Sequence, residues 1–168
     1  SAVYLVAEKG EIVLQDALGL AVVEPEKIEA KLDTIYDLAS LTKVLVTTLL
    51  CAKLIESGEL NLTDRVTEYS SFFYMKDKKE VTIQNLLTHT SGFFAWKPFY
   101  LLWEPNLNTL AELHNENPVN AKVVYSDLNF LTLAFVIEQG YGKKLDEIAK
   151  TEIFNPLNLK NTFFNPPK

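Results

Sequence analysis

The chain has 168 residues, 48% of them hydrophobic and 23% charged, a balance that fits a globular protein with a sizeable buried core. Its net charge of −6 argues against nucleic acid or an anionic membrane surface as partner, since both require clustered Lys and Arg. Cys51 is the only cysteine, which rules out an intramolecular disulfide and leaves the redox compartment open.

In chain order, residues 2–8 (AVYLVAE) and 11–18 (EIVLQDAL) are short β-prone runs separated by Lys9-Gly10, the pattern of a hairpin. A polar segment with Pro25 and alternating charges follows. From Leu38 to Ser57 apolar residues recur at Leu38, Leu41, Leu45, Leu49, Ala52 and Ile55, which predicts a helix with that stripe buried. Cys51 falls inside this helix and reads as a small core residue, and Gly58 is placed to cap its end. The densest basic run, Lys76, Lys78 and Lys79, is interrupted by Asp77 and followed by Glu80, and reads as a solvated loop. Further helices are predicted over Thr82–Thr88, around Leu107–Asn115, and over Asp127–Gln139 and Leu145–Ile153. Turn signals divide them at Ser91-Gly92, Pro98, Pro105, Pro118, Gly140-Tyr141-Gly142 and Asn155-Pro156. No stretch is long and apolar enough to span a bilayer, and none has the basic start and cleavage site of a signal peptide. The compartment stays undetermined, because a leader removed before residue 1 leaves no trace.

Three short motifs carry chemistry. In "DLASLTK" (37–43), Ser40 and Lys43 are three apart and share a helix face, so the lysine can reach the hydroxyl near the positive end of the helix. Read alone, the spacing is a weak signal, and Ser40 is better taken as a cap or first-turn residue and Lys43 as a surface lysine. In "VVYSDLNF" (123–130), Tyr125 precedes a helix, and a phenol held beside an ammonium is a plausible proton shuttle. Asp127 can aim its carboxylate at the same ammonium, or simply cap the helix. In "LLTHTSGF" (86–93), His89 suggests a triad, but a structural histidine at a helix end closed by Thr-Ser-Gly is the better reading. No His or Cys spacing supports a metal.

Taken together and in order, "YDLASLTK", "LIESGELNLTDRVTEY", "VTIQNLLTHTSGF", "VVYSDLNF" and "IFNPLNLKNTFF" resemble the serine β-lactamase and penicillin-binding protein superfamily. The branch is that of class C β-lactamases, D-alanyl-D-alanine carboxypeptidases and related esterases. The resemblance covers nearly the whole chain and implies an α+β, β-lactamase/transpeptidase-like fold: an N-terminal hairpin, then a mostly helical body. Residues 1–168 would form one incomplete domain, with sheet strands in 1–24 and the helical, motif-bearing region in 36–168. By this resemblance Ser40 is the acylated nucleophile, Lys43 its helix partner and Tyr125 the shared acid and base. Acyl transfer to Ser40 and then to water is implied, on a small-molecule or peptidoglycan-like acyl substrate, with no cofactor and no metal.

Two departures qualify what the resemblance implies. Asp127 stands where many family members have Asn; an amide can donate to a substrate carbonyl and an ionised carboxylate cannot. Asp127 would also raise the pKa of Lys43 and shift the base role toward Tyr125, favouring an esterase or peptidase-like hydrolase over a β-lactamase. Asn129, two residues on, is no evident substitute for the amide. The second departure is that the family's chain continues, supplying more sheet strands and a third motif of the Lys-Thr-Gly or His-x-Gly type. The sequence ends at Asn165-Pro166-Pro167-Lys168 without them, so the C-terminal segment of the domain is expected as its partner. A catalytically silent ligand-binding relative is the alternative of a different class.

Overall fold

A computed structural model describes residues 1–69, 73–74, 77–98, 101 and 112–166, in two units, Ser1–Leu38 and Ala39–Lys168. In the first unit, strands β1 (Ala2–Glu8) and β2 (Glu11–Leu18) pair antiparallel across Lys9-Gly10. Both turn residues have positive φ, 51° and 86°, as a two-residue turn matched to strand twist requires. The register slips between Val6, opposite Leu14, and Ala7, opposite Ile12, so Val13 is the extra residue of a bulge. A second, smaller hairpin pairs β3 (Leu20–Val22) with β4 (Ile28–Glu29). The polar composition of the segment around Pro25 hid it, because a two-residue strand has too little alternation to register. No residue of this unit is fully buried.

The second unit holds the core. A π-helical turn (Lys43–Thr47) runs into α1 (Thr48–Glu56), followed by the short α2 (Val66–Tyr69), α3 (Ile83–Leu87), α4 (Asp127–Tyr141) and α5 (Leu145–Ala149). A second π-helical turn, Lys150–Phe154, extends α5. Helix α4 is the hub, in contact with the first π turn and with α1, α2, α3 and α5. Its Leu133, Val136 and Ile137 are buried with Leu50 and Leu54 of α1, Ile83 and Leu86 of α3, and Ile148. Each such side chain contributes roughly 1.5–3 kcal/mol of burial.

Local chemistry sets the helix ends. At α3 the Thr82 hydroxyl accepts from Asn85 N–H while Asn85 Oδ1 accepts from Thr82 N–H, a reciprocal capping box. Buried Asn85 also donates to Thr90 Oγ1 and Asn120 Oδ1, tying the helix to two loops. Gly58 follows α1 at φ 78°, in its expected capping role. Gly140, expected in a turn, lies inside α4 instead, on the face next to Leu54 of α1.

The long first helix buries a different face from the one its spacing suggests. It starts at Leu41, and Leu41 and Leu45 are 54% and 45% exposed, while Val46, Leu50, Cys51 and Leu54 are buried. The helix is apolar on two adjacent faces about 100° apart, and within this unit α4 covers the second. Lys78 also corrects the reading of its segment as a solvated loop. It is 1% exposed, its ammonium donates to Leu113 O, and Asp77 Oδ1 lies 3.7 Å away. Burial pulls its pKa down against the pull of Asp77. Lys76 and residues 107–111 of the expected helix lie outside the described residues; His114 and Asn115 at its end are not helical.

Gly92 is the tightest glycine. Its φ is 83°, its carbonyl accepts from Glu116 and Asn117 N–H, and a Cβ there would lie 2.0 Å from Asn117 O. Gly58 has the same left-handed backbone with nothing near it. Gly58→Ala is therefore expected to cost about 1–2 kcal/mol from the backbone alone. Gly92→Ala should cost more than ~3 kcal/mol, since a backbone clash adds to that strain. Urea denaturation of the two variants beside the parent chain checks the difference.

Candidate active site

Ser40 sits on the turn immediately before the first helix, after Ala39 at φ 43°, a backbone region non-glycine residues seldom occupy and one that often accompanies functional sites. Thr42 N–H donates to Ala39 O and Lys43 N–H to Ser40 O, so the helix is already wound as it leaves the serine. The three-residue spacing does what it predicts: Lys43 Nζ donates to Ser40 Oγ at 3.2 Å. Lys43 itself lies in the π-helical turn, a local widening frequent at functional positions.

The other two predicted residues, Tyr125 and Asp127, converge on the same lysine from far along the chain. Lys43 Nζ donates to Asp127 Oδ1 at 2.7 Å. The Tyr125 phenol faces Ser40 and Lys43, and both favour its ionised form. The ammonium also lies 5.1 Å from the Tyr125 ring centroid and 5.7 Å from that of Phe130, within cation–π range. Ser40, Lys43, Tyr125 and Asp127 thus form one connected cluster.

Asp127 is not the helix cap. That role belongs to Ser126, whose hydroxyl accepts from Asn129 N–H and donates to Phe94 O at 2.5 Å. Asp127 is instead a first-turn residue whose own N–H donates to Ala95 O, where a carboxylate is favoured by the helix dipole. Tyr125 is 54% exposed. Asn129 is fully buried, and its Oδ1 accepts from Ser91 Oγ at 2.6 Å.

The electrostatics divide the two proton-carrying groups. Burial opposes the charge on Lys43, but the Asp127 carboxylate and the Tyr125 phenol outweigh it and hold the lysine above its usual pKa. Hydrogen bonds from Ser40 and then Lys43 hold Tyr125 below the usual tyrosine value. The cluster therefore keeps an ammonium and lowers the cost of a phenolate beside the serine hydroxyl. Cys51, by contrast, is pushed up to about 12 by burial and takes no part.

Among the described residues no group of three His, Cys, Asp or Glu side chains is arranged to hold a metal ion. No helix among them is long and apolar enough to cross a membrane. An open apolar groove of about 610 Å³ lies between α1 and the segment 152–157 and does not include Ser40. Sequence reading left His89, Ser91 and Asn129 outside the site; the shared "THTSG" and "SDLN" blocks were the available signal, and only packing shows that the two interlock.

The Beta-lactamase family model matches residues 1–168. A Salmonella typhimurium protein described as "Putative D-alanyl-D-alanine carboxypeptidase" is 33% identical over 185 residues, covering 96% of this chain and 43% of the relative. Among solved structures, a penicillin-binding protein homolog from Caulobacter crescentus matches with TM-score 0.79 and 22% identity, over 96% of this chain and 44% of that one. EstCE1, described as a hydrolase with promiscuous acyltransferase activity, matches with TM-score 0.79 and 25% identity, over 94% and 46%. A class C β-lactamase mutant reaches TM-score 0.82 at 20% identity, over 98% and 45%. The chain belongs to the Beta-lactamase family, and its fold is the α+β, β-lactamase/transpeptidase-like one. It spans less than half the length of these relatives.

If Asp127 is what keeps Lys43 charged, Asp127→Asn should lower the lysine pKa. Its side-chain ¹³Cε shift, followed through a pH titration, is expected to move at lower pH in the variant than in the parent. An unchanged midpoint would remove Asp127 from the electrostatics of the site.

Proposed function

We propose that Ser40 is the nucleophile of a serine hydrolase that works through an acyl-enzyme, with an ester or an amide as substrate. The observation that carries this reading is the convergence on Lys43 Nζ of Ser40 Oγ at 3.2 Å and Asp127 Oδ1 at 2.7 Å, with the Tyr125 ring centroid 5.1 Å from the same ammonium. A serine nucleophile needs an adjacent group to take its proton, and that group needs a third to orient it. Tyr125 takes the proton here, because Lys43 is held as an ammonium by Asp127.

The steps balance as follows. Ser40 Oγ bonds to the acyl carbon as its proton passes to the Tyr125 phenolate, while Lys43 stabilises the charge. The tetrahedral intermediate collapses, the bond to the leaving alkoxide or amine breaks, and that group takes the proton from Tyr125. Water then attacks the acyl carbon, gives its proton to Tyr125, and Ser40 leaves with that proton restored. Lys43 and Asp127 keep their charge states throughout.

Asp127 also bears on the substrate. Its carboxylate offers no donor to an acyl carbonyl, so the site favours esterase or D,D-peptidase-like turnover over β-lactam hydrolysis. A small-molecule or peptidoglycan-like acyl compound is the proposed partner, in line with the descriptions of the Salmonella relative and of EstCE1. Residues 1–168 are read as part of one β-lactamase-like domain, since the family model runs through both units. A second reading, a binding protein that does not turn its ligand over, draws on the same ion pair: a lysine locked to Asp127 is withdrawn from base catalysis.

Intact mass after incubation with a reactive fluorophosphonate separates the two readings, since binding alone leaves no adduct. An adduct mapping to Ser40 is expected, and none in Ser40→Ala. Lys43→Ala and Tyr125→Phe should each slow labelling by about 10²-fold or more. Normal labelling of Ser40→Ala would sink the assignment. The labelling rate should also rise with pH toward the depressed Tyr125 pKa, because the phenolate is the base and is populated above it. Tyr125→Phe should lose that rise.

A further inference from the structure

His89 stands one residue past the C-terminal cap of α3, with a left-handed φ of 58°, and three of its groups touch the segment that carries Tyr125. Its carbonyl accepts from Val124 N–H at 2.9 Å. Its Nδ1 accepts from Ser126 N–H at 3.1 Å. Its ring lies 4.7 Å from the Tyr125 ring, centroid to centroid, and 5.2 Å from that of Phe130. The residues on either side of Tyr125 are therefore hydrogen-bonded to His89, and the phenol ring rests on its imidazole.

The surrounding hydrogen bonds also dictate which ring nitrogen carries the proton. Phe93 N–H donates to Ser91 Oγ, Ser91 Oγ–H donates to Asn129 Oδ1, and so Asn129 presents its Nδ2 to His89 Nδ1 at 3.3 Å. The second neighbour of Nδ1 is Ser126 N–H, a backbone amide that can only donate. Nδ1 faces two donors and must be an unprotonated acceptor. The imidazole is thus the neutral Nε2–H tautomer, set by a chain that begins at the backbone of Phe93.

We propose that His89 is the positioning residue of this site: as a neutral Nδ1 acceptor it holds Tyr125 against Ser40 and Lys43, and protonating it releases that segment. The role rests on the acyl-transfer reading of Ser40 and Tyr125 given above. A proton on Nδ1 would point at Ser126 N–H and Asn129 Nδ2, turning two attractive contacts into repulsive ones. The charged groups facing the ring are Lys43 from the π-helical turn and Asp127 from the start of α4, with Tyr125 beside them; α3 contributes none. Burial and then the Lys43 charge push the imidazole pKa below its ordinary 6.5, and Asp127 only partly opposes them. The neutral form is therefore kept at pH 7 and lost as pH falls through the depressed value.

The test reads the imidazole and the phenol directly, before any reaction. In the uniformly ¹⁵N-labelled chain, long-range ¹H–¹⁵N spectra at pH 7, with His114→Gln to assign the second histidine, should show His89 as the Nε2–H tautomer. An Nδ1–H tautomer or an imidazolium at that pH overturns the proposal. The Tyr125 ¹³Cζ titration, assigned with Tyr125→Phe, is then followed in two variants. His89→Asn places an amide oxygen near the Nδ1 position and tolerates a left-handed backbone. His89→Phe keeps an aromatic ring without the acceptor. Tyr125 should titrate near its wild-type pH in His89→Asn and higher in His89→Phe; identical titration in all three chains removes the positioning role.

Fluorophosphonate labelling supplies the functional arm. His89→Phe should slow Ser40 labelling by about 10²-fold, the order expected of a misplaced catalytic group. The fall of wild-type labelling with decreasing pH should steepen by one proton at the His89 pKa, and His89→Asn should lack that extra step. A wild-type chain that takes no label overturns the acyl-transfer reading, while tautomer and phenol titration still judge His89 on their own.

Discussion

Lys43 Nζ and Asp127 Oδ1 meet at 2.7 Å, across 84 residues of sequence, and the other site geometry hangs on that contact. It joins the turn that follows Ser40 to the first turn of α4, so the Ser40 hydroxyl and the Tyr125 phenol are brought to one place by the same pair. The lysine is largely buried, and an ammonium taken out of water is costly unless a carboxylate and further hydrogen bonds meet it. Ser40 Oγ accepts from the same ammonium, and the Tyr125 ring lies 5.1 Å from it. The charge that makes Lys43 a poor base is the same charge that lowers the cost of a phenolate at Tyr125.

The fold supports this contact by making α4 both the core hub and the carrier of the site. Its buried face packs on α1 and α3, which fixes its axis, while its N-terminal turn is held by Ser126 to Phe94 O and Asp127 N–H to Ala95 O. Gly92 lets the chain after α3 pass close under Asn117, and that segment delivers Ser91 to Asn129. Ordinary packing therefore places His89 and Tyr125 ring to ring. Stability and site geometry share the same helix, so a change that tilts α4 would move Tyr125 and Asp127 together.

Much of this was readable locally. The Lys9-Gly10 hairpin, the Thr82–Asn85 capping box, the Gly58 helix end and the Ser40–Lys43 spacing are short-range events, each decided by residues a few positions apart. The buried face of the first helix was not. Leu41, Leu45 and Leu49 form one apolar row and Val46, Leu50 and Leu54 another, and periodicity has no means of choosing between two apolar rows. Lys78 shows the converse error, a charge in a polar run that packing buried under Leu113.

The site divides the same way. By itself the sequence determined the residue types, their order and the one contact that a single helical turn enforces, Lys43 to Ser40, and with them the family to which the chain belongs. Only the tertiary structure decided that Tyr125 and Asp127 close on that lysine, that Asp127 pairs rather than caps, and that His89 lies against the phenol. Those contacts depend on how α4 seats against the body of the second unit. That seating is settled by the summed burial of a whole core, not by any property of the residues that meet.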